Sequence, residues 1–223
     1  MHHIAIYDLD KTILRTPTFT AFLMFAAQQR GGGVWWRLPI WVAAMAGYVL
    51  KLYGRKPLKQ FGMRLFIGKT FTAAMADDLS RAFAAKVVPG DVLPGAAAAM
   101  QADRAAGYRI VIASAAQGFY AEHIGAALNA DTVLATENQR TAGGFTAKID
   151  GENNYGSEKL RRVTSWLSGQ GLDRAKCHIR AYSDHISDAP LLDFADEAVF
   201  VTASDAKAAA VQNRGWQVQD FSV

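Results

Sequence analysis

The chain has 223 residues, 51% of them hydrophobic and 20% charged, as in a globular protein that buries one substantial core, with or without an insertion. Its single cysteine, Cys177, excludes an internal disulfide, and MHHIAIYD lacks the charged, apolar and small-residue succession of a secretory signal, so a reducing cytoplasm is expected. The net charge of +4 is uneven: residues 17–87 hold ten Lys or Arg against Asp77 and Asp78 alone, which makes that segment +8 and leaves the rest at −4.

In chain order, IAIY (4–7) is an apolar strand candidate that stops at Asp8 and Asp10. Residues 17–87 then show no convincing strand. TFTAFLMFAAQQR, WWRLPIWVAAMAGYVLKLY, LKQFGMRLFIG and TAAMADDLSRAFAAKV suit helices, separated by GGG, GRKP and GKT. The uncharged run LPIWVAAMAGYVL (38–50) is shorter than the roughly 20 residues of a bilayer span, contains Pro39 and lies between Arg37 and Lys51. It reads as a buried helix, with an interfacial helix carrying Trp35, Trp36 and Trp41 as the second reading. The chain returns through PGDVLPG (89–95).

Helix and strand patterns alternate from there. GAAAAMQADRAAG (95–107), GFYAEHIGAALN (118–129), SEKLRRVTSWLSGQG (157–171), APLLDFA (189–195) and SDAKAAAVQNRG (204–215) suit helices, several of them ending at glycine. YRIVIAS (108–114), DTVLAT (131–136), CHIRAYS (177–183) and EAVFVT (197–202) suit strands, and FTAKIDG (145–151) a small edge hairpin. The expected fold is α/β, a doubly wound, mainly parallel sheet with an inserted all-helical cap.

Ligands of such sheets bind outside the carboxyl ends of the strands. Alternate residues of an extended chain share a direction, so Asp8 and Asp10 can converge where the first strand ends. Two crowded carboxylates need a cation or a shared proton. Other strand ends add partners: Ser114 with the following backbone N–H groups from Ala115 on, where a helix is expected to begin, and Asp184 and Asp188 in AYSDHISDAP. Lys159 stands in the first turn of a helix, a place where the helix dipole disfavours a cation unless it faces an anion. The set suits phosphoryl transfer assisted by a hard, oxygen-seeking cation such as Mg²⁺.

In their order, DLDKT (8–12), Ser114, Lys159 and SDHISD (183–188) resemble the four motifs of the haloacid dehalogenase-like phosphatases, in the phosphoserine phosphatase-like branch (subfamily IB) with a C1-type helical cap after the first motif. The resemblance covers essentially the whole chain. It implies a Rossmann-like core of residues 1–16 and 88–223 and a cap of residues 17–87 that opens and closes over the cleft. It also implies that Asp8 is a nucleophile forming an aspartyl-phosphate, with Asp10 as general acid and then base. The Asp8 side chain, the Asp10 carbonyl and Asp184 would hold Mg²⁺, with Asp188 as a further carboxylate. Thr12, Ser114 and Lys159 would hold phosphate oxygens. Two departures stand out: Ser183 replaces the glycine that usually opens the last motif, and LRTPTFTAF lacks the acid with which phosphoserine phosphatases meet the substrate amine. Phosphoserine is therefore disfavoured as substrate.

Lys59, Arg64 and Lys69 suggest a small organic phosphate bearing apolar surface or extra negative charge, with Arg64 as a substrate contact. Asp188 also reads as a helix cap, His185 as a loop side chain, Cys177 as core, and the cap aromatics as helix packing. The rival functions are a peripheral membrane protein whose basic cap reaches a lipid phosphate, and a non-catalytic phosphate-binding module. A nucleic-acid partner is not expected despite a pI near 9.2, because the positive excess lies in an apolar helical segment without a binding motif.

Overall fold

The computed structural model describes all residues except Gly32 and Val34; the middle of the GGG punctuation thus falls outside the described residues. The elements run β1 (His2–Tyr7), α1 (Thr18–Gln29), α2 (Arg37–Val49), α3 (Arg55–Phe66), β2 (Thr70–Thr72), α4 (Ala73–Asp91), α5 (Pro94–Ala105), β3 (Arg109–Gln117), α6 (Gly118–Ala127) and β4 (Thr132–Thr136). They continue with β5 (Asn138–Thr141), β6 (Gly144–Ile149), α7 (Ser157–Gly169), β7 (Cys177–Ser183), α8 (Ala189–Phe194), β8 (Glu197–Val201), α9 (Asp205–Val211) and β9 (Gln217–Gln219).

The main sheet has the order β4-β3-β1-β7-β8-β9, and each of its pairings is parallel. The chain builds outward from β1 to β3 and β4, then crosses back and builds through β7 on the other side. Its topological switch therefore lies at β1, and the carboxyl ends of β3, β1 and β7 are neighbours. Helices cover both faces, so β1 is buried on both. Ala5 and Tyr7 enter one apolar cluster with Ile110 and Ile112; Ile4 and Ile6 enter the other with Val111 and Ile179. A continuous apolar run is what two-sided burial requires.

The Tyr7 and Tyr182 rings stack at 4.2 Å. Both hydroxyls donate to the buried Asp103 on α5, which also pairs with Arg180. This network clamps β1 to β7 just below their tips.

The expected absence of strands between residues 17 and 87 fails at β2. That strand pairs antiparallel with β6, which in turn pairs with β5 in a second, three-stranded sheet. Gly144 is required there, since a Cβ would come within 2.2 Å of the Phe71 carbonyl. The connection PGDVLPG is also not wholly a loop. α4 continues through Pro89 to Asp91; Pro89 lies in the last turn, and the Ala85 carbonyl it deprives of a donor is on an exposed residue.

Candidate active site

Asp8 sits immediately beyond β1, its N–H donating to the Tyr182 carbonyl at 2.9 Å. The chain then reverses. Lys11 adopts a left-handed conformation (φ 61°), and Ile13 and Leu14 donate to the Leu9 carbonyl at 3.0 and 2.9 Å. This tight turn leaves Asp8 and Asp10 facing one cavity of about 400 Å³. Asp10 Oδ1 accepts from the Thr18 N–H at 2.8 Å and so caps α1, whose preceding residue, Pro17, supplies no side-chain cap.

The cavity also takes Lys159, Asp184 and Asp188 in its wall. The buried Lys159 Nζ bridges Asp8 Oδ1 at 2.9 Å and Asp188 Oδ2 at 2.6 Å. That contact explains a cation in the first turn of α7, because the field of two carboxylates outweighs the adverse helix dipole. Burial works against the Lys159 charge, yet Asp8 and Asp188 hold its pKa above the ordinary value.

Burial dominates at Asp8 and pushes its pKa up to about 7; Lys159 pulls it back and Asp188 adds to the rise. Asp10 and Asp184 are also raised by burial, against the Thr18 hydrogen bonds in the one case and Lys207 in the other.

Ser183, standing where the resembling family has glycine, donates to Asp188 Oδ2 at 2.7 Å. The substitution thus adds a fixed donor to the carboxylate that Lys159 also holds. Ser183→Ala should cost about 1 kcal/mol of stability and reduce kcat less than tenfold, as read by thermal melts and turnover of an aryl phosphate; unchanged values in both would assign Ser183 no positioning role.

Other expected residues are distributed less simply. β3 runs past Ser114 to Gln117, with a register shift against β4 between Ala113 and Gln117. The Ser114–Ala116 stretch is therefore an irregular strand end and not the start of a helix. Ser114 and Ala115 line the cavity, and Ser114 Oγ accepts from the Ala116 N–H at 3.1 Å. Thr12 is wholly buried and outside the cavity wall; its hydroxyl accepts from the Asp184 N–H at 3.0 Å and ties the β1 turn to the β7 turn. Arg64 is exposed and does not reach the wall.

Arg55, Lys11 and Lys207 supply the cations at the rim instead, beside Tyr155 and His185. The Arg55 guanidinium lies 3.7 Å from the Tyr155 ring centre. Behind the wall, the buried Lys59 donates to the Ala115 carbonyl and to Asn153 Oδ1; its burial, partly offset by Asp10, lowers its pKa to about 7. Asn154 donates to the Ser114 and Leu134 carbonyls at 3.0 and 2.7 Å, fixing the irregular strand end. The pair Asn153-Asn154 before Gly156 was the available sequence signal, since such residues habitually satisfy loop backbone.

Among the described residues, no three His, Cys, Asp or Glu side chains converge as a metal site made of side chains alone would need. The donor chemistry nevertheless fits a hard dication that also takes carbonyl and water oxygens. Asp8, Asp184 and Asp188 line one cavity, and the buried Asp188 Oδ1 has no hydrogen-bond partner.

A family model described as haloacid dehalogenase-like hydrolase matches residues 5–193. A probable phosphatase of Mycobacterium tuberculosis is 26% identical over 222 residues, covering 98% of this chain and 75% of its own. A crystal structure of a protein of unknown function from Bordetella pertussis Tohama I superposes with a TM-score of 0.89 at 23% identity, over 99% of both chains. A phosphoserine phosphatase in a form described as a phospho-aspartyl intermediate analogue superposes with a TM-score of 0.64 at 12% identity, over 100% of this chain and 94% of that one. At these identities the structural likeness establishes the fold.

Proposed function

The chain belongs to the haloacid dehalogenase-like hydrolases, and from that premise we propose that it is a Mg²⁺-dependent phosphomonoesterase working through an aspartyl-phosphate on Asp8. The observation that carries this is the buried Lys159 bridging Asp8 and Asp188 in a cavity shared with Asp10 and Asp184.

An Asp8 carboxylate oxygen bonds to phosphorus as the ester O–P bond breaks. The Asp10 carboxyl, raised by burial and pinned through Thr18, gives its proton to the departing oxygen. Asp10, now ionised, takes a proton from the water that attacks the phosphorus of the acyl phosphate; inorganic phosphate leaves and Asp8 is restored. Lys159 and the Ala115 N–H, both at the cavity wall, would supply fixed positive potential to the phosphoryl oxygens. Asp8, Asp184 and the Asp10 carbonyl, with Asp188 alongside, would hold Mg²⁺, which supplies charge neutralisation to the phosphoryl group when bound.

The rim cations Lys11, Arg55 and Lys207 favour a small organic phosphate carrying a second negative charge. Arg55→Met should raise KM for such a substrate about tenfold, equivalent to about 1.4 kcal/mol, and leave kcat within about twofold. A singly substituted aryl phosphate should be affected less. Steady-state kinetics over a phosphate panel test this: equal KM changes for both classes would remove the charge argument, and no Mg²⁺-dependent phosphate release from any member would remove the phosphatase.

A further inference from the structure

The expectation that residues 38–50 form a buried helix holds for one face of α2 only. Trp41 is buried and packs its ring against Phe19 and Phe66, with centroids 6.2 and 6.1 Å away. On the other faces, Ile40, Val42, Val49, Leu50 and Leu52 are exposed, Leu50 at 71%, and Trp35 stands just before the helix at 81%. Scattered apolar exposure is ordinary, but here it is contiguous along one helix and the turn after it.

The charges around this face say what covers it. From Lys11 to Ala76 the chain contains ten Lys or Arg and no Asp or Glu. Arg37 and Lys51 bracket the uncharged run, and the Arg37 guanidinium lies 5.1 Å from the Trp36 ring centre. Of the ten, Lys59 is buried and Lys11 and Arg55 belong to the cavity, which leaves Arg37 and Lys51 beside α2; a symmetric pairing with a second copy would bring them to a segment that offers no carboxylate in return. An anionic bilayer offers the complementary charge, an apolar layer a few ångströms deep for Val42, Val49 and Leu50, and a headgroup zone suited to tryptophan. At 13 residues, α2 is about 20 Å long, and among the described residues no helix is long and apolar enough to cross a membrane.

We infer that the exposed face of α2 docks this protein, lying flat, on the surface of an anionic lipid bilayer. The docked helix reaches the catalytic cavity through one side chain of α3: the Tyr48 hydroxyl accepts from Arg55 Nε at 2.9 Å, and Arg55 lines the rim.

Co-sedimentation of the full chain with vesicles of phosphatidylcholine, with and without about one third phosphatidylglycerol, tests the inference. The protein should pellet with the anionic vesicles only, and added salt should release it. A Val42→Asp, Val49→Asp double variant should lower the pelleted fraction about tenfold while hydrolysis of a soluble aryl phosphate stays unchanged, since neither residue belongs to the cleft. Protein that remains in the supernatant, or pellets equally with neutral vesicles, overturns the inference; so does a concentration-dependent dimer that the same variant dissociates. Partitioning and hydrolysis are read separately, so loss of the docking claim and loss of the phosphatase claim remain distinct results.

Discussion

Replacing Asp8 by asparagine should lower turnover of any phosphate monoester by about 10⁴-fold or more while the protein stays folded. The amide keeps the shape at the tip of β1 but cannot attack phosphorus, and neither Asp184 nor Asp188 continues from that strand. The fold tolerates the change because burial already disfavours the Asp8 charge, and Lys159 retains Asp188 as its partner at 2.6 Å. Acid-quenched enzyme exposed to a ³²P-labelled substrate should carry label on the wild type and none on the variant. Turnover within tenfold of the wild type would exclude Asp8 as nucleophile.

Lys159→Met should cost about 10²–10³-fold in kcat and about 3–5 kcal/mol in stability, because it leaves Asp8 and Asp188 buried without their shared cation. The pH dependence has a definite sign. The folded-state pKa of Asp8 is raised from 3.8 to about 7, so its contribution to stability is fully present below pH 3.8 and is lost as pH rises through about 7. Without Lys159, the influence that pulls the Asp8 pKa back disappears and Asp188 continues to raise it; the variant should therefore lose stability relative to the wild type as pH rises and recover part of it on acidification. Thermal melts at pH 5 and pH 8 measure this, and a deficit independent of pH would show that the bridge is not electrostatic in origin.

The core and most of the cleft could be read from residue order because their signals are local. The strands leading to Asp8 and Ser114 are apolar runs, the one leading to Asp184 is mixed, with His178 and Arg180, and parallel connection brings such ends together whatever their separation in the chain. The cap side was less legible because its functional residues acquire meaning only through packing. Arg55 and Lys59 lie four apart on α3, about 40° from each other around the helix axis, while Arg64 is about 140° from Lys59. One side of α3 faces the site and the other faces solvent, a choice that positive charge alone does not mark. Lys59 reads as surface until the Ala115 carbonyl and Asn153 enclose it. β2 escaped notice because three residues carry almost no periodicity and their partner strand lies more than 70 residues away. The bare face of α2 was hidden by its own hydrophobicity, which sequence patterning assigns to the interior.

The pairing of Thr70–Thr72 with Gly144–Thr146 bears on traffic through the cleft. It is reinforced by Ala73 N–H on the Gly143 carbonyl at 3.0 Å and Ala147 N–H on the Lys69 carbonyl at 2.9 Å, and by Lys56 on Glu152 at 2.9 Å. Swinging the helical segment away as one leaf would tear this seam and strand its backbone groups. Access past the Arg55 and Tyr155 side chains at the doorway leaves this seam intact, whereas a hinge step has to break it.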